Sequence, residues 1–278
     1  MVRALLNFFH TALLIGWPRC RAMGGTMVAL SLATASLAHV QAVAADAPAV
    51  TRYRPNAATP AALSTPAWVE LEAGGPHSRS SVSALCDSLP FTLKLAFTED
   101  WGKRFGGEAW VRQTDEAREG LCWVGNSSIV LKRRFAINET SAFGLEAGTA
   151  LTTGMTGIGS EKSDRSINAI ASADLGEHHT DINLPGARVG AVEPGVSRTQ
   201  ALWAASLSKS LNDQWGIVGE FSGTRQKGAR STRQFLCEAI CNASKSLSWD
   251  VGFVRSLRSA VPDWSAFTGH TMLVQRLS

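Results

Sequence analysis

The chain has 278 residues, 45% of them hydrophobic and 18% charged, with a formal net charge of +4; this is not the composition of a disordered protein, and it allows one or two domains. The positive charge sits at the N-terminus: with Arg3, Arg19 and Arg21 set aside, the 27 basic residues fall to 24 against 23 acidic ones. A near-neutral remainder gives no electrostatic reason for nucleic acid as a partner.

Residues 1–44 read as a secretory signal peptide: Arg19 and Arg21 form a basic region, Met27–Ala38 is a short apolar run, and Ala42-Val43-Ala44 supplies small residues for cleavage. Met23 or Met27 is an alternative start. After the leader no apolar run approaches the ~18 residues of a membrane-spanning helix. A mature chain in contact with a bilayer therefore has to be a barrel. Ala45–Pro66, rich in Ala, Pro and Thr, reads as a flexible periplasmic segment ahead of a barrel over 67–278.

From Trp68 onward, segments of roughly ten residues alternate with period two. Trp68–Ala73 opens the series. Phe91, Leu93, Leu95 and Phe97 then alternate with Thr92, Lys94, Ala96 and Thr98; Glu99-Asp100 turns the chain, and Trp101–Arg112 returns with Phe105, Ala109 and Val111 opposite Arg104, Glu108 and Arg112. After a polar connection, Gln113–Val124, the residues Ile129, Leu131, Phe135 and Ile137 mark a strand interrupted only by Arg133, and Asn138-Glu139-Thr140 turns it. Ser141–Leu151 sets Phe143, Leu145 and Ala147 against Gly144, Glu146 and Gly148. A long loop, Thr153–Ser163, leads to Ile167–Leu175, and Gly176-Glu177-His178 turns into a short strand ended by Pro185-Gly186. Further strands carry Ala201, Trp203, Ala205 and Leu207; Trp215, Ile217 and Phe221 opposite Glu220; Phe235, Cys237, Ala239 and Cys241; Trp249, Val251 and Phe253 opposite Asp250; and Trp264, Ala266 and Thr268. Asn212-Asp213 is a hairpin signal between two of them.

About twelve strands joined by connections that are alternately short and long predict an all-β, antiparallel, up-and-down transmembrane barrel. A β-sandwich also alternates, but it turns the oily face inward. In a barrel the polar register lines the lumen, and its charged members are Lys94, Arg104, Glu108, Arg112, Lys132, Arg134, Glu146, Asp174, Glu220 and Asp250. Five are basic and five acidic, which predicts a wall of no large net sign and a weak anion preference set by the basic cluster on two neighbouring strands. Trp101 and Trp215 begin strands just after short turns, where a lipid–water belt places such rings.

No catalytic, cofactor or metal site emerges. Gly154, Gly157 and Gly159 precede a strand, whereas a phosphate loop needs a helix N-terminus. His178 and His179 point to opposite faces of a strand and read as a solvated turn. Cys86, Cys122, Cys237 and Cys241 remain after the leader; the last two, about 13 Å apart on one face of a straight strand, either stay free or lie across a turn.

The segments Leu151–Gly154, Gly157–Asp164 and Ser166–Gly176, together with Pro90–Gly102 and Asp263–Gly269, resemble the outer-membrane channel family known as the MetA-pathway of phenol degradation, whose members are also labelled transporters. The resemblance covers roughly Trp68–Leu273 and implies a Gram-negative outer-membrane channel for passive or weakly selective passage of small molecules, without a cofactor. Its partners are then outer-membrane lipid, small-molecule solutes and the barrel-assembly machinery. A periplasmic or secreted β-sandwich binding module is the alternative, and an outer-membrane enzyme with a rim active site the third reading.

Overall fold

The apolar row of almost every strand faces outward and the polar row inward, so the sheet closes around a polar interior. The computed structural model describes residues 47–54, 57–79, 85–115, 118–154, 162–258 and 263–277, all within one unit, His39–Ser278. The leader, Gly157 and Gly159 lie outside the described residues. The strands are β1 (Trp68–Arg79), β2 (Leu85–Ala96), β3 (Trp101–Asp115), β4 (Arg118–Trp123), β5 (Ser127–Ala136), β6 (Ser141–Leu151), β7 (Arg165–Leu175), β8 (His178–Arg188), β9 (Thr199–Ser210), β10 (Trp215–Gln226), β11 (Thr232–Ser244), β12 (Leu247–Arg258) and β13 (Trp264–Arg276).

Sequence neighbours pair antiparallel except β4 and β5, and β1 pairs with both β2 and β13, which closes the ring. β4 and β5 share one place in it. β3 pairs with β5 over Trp101–Gly107 and with β4 over Val111–Asp115, and the Gly125 N–H donates to the Glu108 carbonyl at 2.9 Å where the two part. The wall is thus a closed ring of twelve strand positions.

On the outside, Leu145, Ile167, Leu184, Phe221 and Val251 are 45–70% exposed. On the inside, Lys94, Lys132, Glu146, Glu220 and Asp250 are at most 6% exposed. An apolar girdle around a closed barrel is what a bilayer requires and what water disfavours. This direction rules out the sandwich. Arg133, a charge in an oily row, lies three residues from the end of β5 and lays its guanidinium over Trp101 (5.0 Å) and Phe135 (4.5 Å), covering its stem while the charge reaches the interface.

Several boundaries differ from the expected ones. Gln113–Val124 is not a loop throughout: β3 and β4 carry paired backbone beyond the end of β6, which keeps their amides and carbonyls bonded. β8 passes through Pro185, whose ring has no N–H to give. Its ladder with β7 is continuous, and the one with β9 is interrupted at Leu184 and Pro185. β11 runs unbroken through Cys237 and Cys241, and both thiols are free, as is Cys86.

The short turns gather at one end. In two of them an Asn side chain organises the reversal: Asn138 accepts from the Thr140 N–H (3.0 Å), and Asn212 from those of Gln214 (2.9 Å) and Trp215 (2.8 Å). The connection holding Thr153 and Ser163 lies at the other end. An epitope tag placed within 153–163 should be reached by antibody on intact cells; labelling that appears only after the outer membrane is permeabilised would invert the topology.

The largest departure is Ala45–Pro66. Residues 47–54 and 57–66, expected to be flexible, run inside the barrel instead. The chain enters beside the short turn between β11 and β12, where the Val50 N–H donates to the Lys245 carbonyl at 2.9 Å. It returns to the same end at Ala67, whose left-handed φ of 64° makes the sharp reversal into β1.

Candidate functional site

The site is the lumen together with the segment seated in it. A proline- and alanine-rich stretch cannot satisfy its own backbone, and here the wall does so. The Thr51 N–H donates to Glu70 (3.1 Å), that of Tyr53 to Glu72 (2.6 Å), that of Ala58 to Glu220 (2.9 Å) and that of Ala61 to the Ser172 hydroxyl (2.7 Å). In the other direction Lys94 donates to the Thr51 carbonyl and Lys132 to that of Pro60. Asn183 meets the Thr59 hydroxyl at 3.2 Å. The segment thus bonds in turn to β1 and β2, β10, β8, β5 and β7.

Tyr53, the only tyrosine of the chain, is its anchor. The ring is buried with the ammonium groups of Lys94 and Lys132 at 4.4 and 4.2 Å and the Arg104 guanidinium at 5.7 Å from its centre. Its hydroxyl donates to the Ala62 carbonyl at 2.6 Å, which ties the two limbs of the segment together. Each cation over the ring contributes roughly 0.5–2 kcal/mol at such desolvation.

Wall glycines make the room. Carbon at Gly74 or Gly269, paired partners on β1 and β13, would overlap the Arg54 guanidinium. Carbon at Gly102 would lie 3.0 Å from Leu63, a tight fit, and at Gly144 3.4 Å from Ala61, an ordinary contact. Gly74→Ala should therefore push Arg54 out of its hollow and expose the segment. Trypsin cleavage after Arg52 in the folded barrel should speed up several-fold. An unchanged cleavage rate would show that the hollow does not hold the segment.

The charged residues read from the sequence separate into groups. Lys94, Arg104, Lys132 and Glu146 meet around Tyr53: Glu146 binds Arg104 at 3.1 Å and faces Lys132 at 3.6 Å, while Lys94 bridges Glu70 (2.9 Å) and Glu72 (2.8 Å). Glu220 and Asp250 stand on the other side of the segment, Asp250 lying 3.9 Å from Arg54. Arg134 and Asp174 line a cavity of about 400 Å³ between the segment and the wall, rimmed by Asn138, Glu139 and Thr140 at the short-turn end. Glu108 and Arg112 lie farther along β3.

Sequence reasoning missed Glu70, Glu72 and Glu238. The signal was present: Glu70, Glu72 and Gly74 occupy alternate positions, as do Leu236, Glu238 and Ile240 opposite the Cys237 row. Reading His178 and His179 as a solvated turn also misses a contact, since the His179 ring bridges Asp174 (2.6 Å) and Asp181 (3.2 Å). The Ser172 hydroxyl donates to Asp181 rather than to the imidazole. That order, Ser–Asp–His, puts the carboxylate and not the imidazole on the hydroxyl, which is not the arrangement of a Ser–His–Asp triad. Among the described residues no group of three or more His, Cys, Asp or Glu is placed to hold a metal ion.

No protein-family model and no curated protein sequence matches this chain. Solved structures do. The COG4313 outer-membrane channel from Pseudomonas putida F1 superposes with a TM-score of 0.61 at 12% identity, over 80% of this chain and 100% of that one. The KdgM porin, in complex with disordered oligogalacturonate, gives 0.53 at 8% identity over 74% and 99%. The CymD monoaromatic hydrocarbon channel gives 0.50 at 8% identity over 76% and 90%. At these identities the likeness is one of fold: this chain has the barrel architecture of outer-membrane channels.

Proposed function

We propose that the protein is an outer-membrane channel for small molecules, closed at its short-turn end by residues 47–66 of its own chain. One observation carries this reading. The interior is filled by a separable segment rather than by wall side chains, and the wall facing it is built of glycines and charges, which suit a water-filled path once the segment moves. A barrel serving only as a scaffold could fill its interior with apolar wall residues, as small barrels do.

The resemblance to the MetA-pathway family, and the channels that share the fold, support the same reading. On this view the leader directs export and the assembly machinery inserts the barrel. Lys94, Arg104, Glu108, Arg112, Lys132, Arg134, Glu146, Asp174, Glu220 and Asp250 then belong to the lumen's charged lining. Binding of oligogalacturonate belongs to the KdgM porin and passage of monoaromatic hydrocarbons to CymD; neither assigns a solute to this chain.

The test combines fractionation with solute uptake. The protein should sit in the outer membrane, migrate differently on gels before and after boiling, and permit swelling of liposomes in small solutes when the segment is deleted. A properly inserted, segment-free barrel that admits no solute would sink the channel reading.

A further inference from the structure

The acidic side of the lumen is wider than the sequence register suggested. Glu70 and Glu72 on β1, Glu220 on β10, Glu238 on β11 and Asp250 on β12 are all at most 5% exposed, and of the wall's own cations Lys94 bridges Glu70 and Glu72. The remaining compensation for Glu238 and Asp250 comes from the inner segment, through Arg52 and Arg54.

That compensation is incomplete in a specific way. Both carboxylate oxygens of Glu238 lack a hydrogen-bond partner, as do one oxygen each of Asp250 and Glu220. Facing them, Arg52 Nη1 and Arg54 Nε and Nη1 are buried and equally unbonded. The three carboxylates outnumber the two guanidinium groups, and the atoms named make no hydrogen bonds between them. A buried polar atom left this way costs roughly 1–3 kcal/mol, so the acidic wall is poised for donors better placed than those of the tethered arginines.

Two further features shape the site. The hollow between Gly74 and Gly269 already accommodates a planar guanidinium beside Asp250. The cavity of about 400 Å³ is bounded by Glu238 as well as by Arg52 and Arg54, and it extends to the turn residues Asn138–Thr140. A solute arriving from the short-turn end therefore enters a cavity beside Glu238, whose oxygens stay covered until the arginine arm moves.

We infer that Glu238 and Asp250, with the Gly74–Gly269 hollow, form a binding seat for a small organic cation bearing a guanidinium or ammonium group, for which Arg52 and Arg54 are the tethered stand-in. Occupancy by the solute displaces the arginine arm. This gives the channel reading a substrate class and rests on that reading only for the claim of passage. It also replaces the weak anion preference expected from the ten charges of the sequence register with a preference for cations, because Glu70, Glu72 and Glu238 were absent from that set.

The experiment is calorimetric titration of the full mature barrel in detergent with agmatine, which carries a guanidinium and an ammonium, and with succinate as the anionic control. Agmatine should bind and succinate should not. Glu238→Gln should weaken agmatine on the order of tenfold or more, and Arg54→Ala, which removes the internal competitor, should tighten it. Opposite signs from two substitutions in one place cannot come from general loosening of the fold. If Glu238→Gln fails to assemble, Asp250→Asn takes its place. Absence of agmatine binding, equal binding of succinate, or weaker binding by Arg54→Ala overturns the seat. Binding with these signs but no agmatine-driven liposome swelling, even without residues 47–64, keeps the seat and strikes the channel.

Discussion

Deletion of residues 47–64 should raise single-channel conductance in planar bilayers on the order of tenfold, since a twelve-position wall lies between the filled eight-stranded and the open sixteen-stranded cases. The barrel itself should survive. Its closing ladders run wall to wall and include no residue of the segment. Lys94, Lys132, Glu70, Glu72 and Glu220 lose backbone partners on deletion, but water enters in place of the segment, so none of these groups stays buried and unsolvated. Heat-modifiable migration should persist. Tyr53→Ala should give an intermediate state, with intermittent openings, because it removes the ring on which Lys94 and Lys132 converge while leaving the backbone bonds. Conductance unchanged by the deletion would place the block elsewhere in the lumen.

Adjacent residues of β6 should fail for opposite reasons. Leu145 is 45% exposed at the middle of the strand and faces lipid, so Leu145→Arg should cost about 2–4 kcal/mol and reduce assembled barrel. A water-filled lumen would make Glu146→Gln mild. The structure instead buries this carboxylate among Arg104 (3.1 Å), Lys132 (3.6 Å) and the Asn168 amide (3.0 Å). Neutralising it removes the counter-charge of buried Lys132, at about 3–5 kcal/mol. The two defects separate in a segment-deleted background, read by urea denaturation. Glu146→Gln should then become nearly silent as water reaches Lys132, while Leu145→Arg keeps its full cost. Persistence of the Glu146 defect without the segment would mean that wall contacts alone bury the carboxylate.

Much of the wall was legible residue by residue. Phe143, Leu145 and Ala147 against Gly144 and Glu146 fix one face per strand, and Asn138 and Asn212 mark turns by local side-chain chemistry. The misses have two causes. β4 and the passage of β8 through Pro185 depend on what the partner strand offers, whereas Glu238 carries a local signal, alternation with Leu236 and Ile240 opposite the Cys237 row. The glycines at 74, 102, 144 and 269 were visible as small residues in the polar register, but what they leave room for is not a property of their own strands.

The sequence by itself determined an all-β chain of about twelve antiparallel strands, each with one oily face, because period-two alternation is local and each strand carries its own copy of the pattern. Only the tertiary structure decided that the oily row faces outward and that residues 47–54 and 57–66 occupy the interior. The segment has no periodicity to read, and its partners are remote: the Ala58 amide finds Glu220, 162 positions away. Those carboxylates and ammonium groups become a lining only once the ring closes, and a Pro- and Ala-rich chain with unpaired amides then becomes the best-satisfied occupant of the space they enclose.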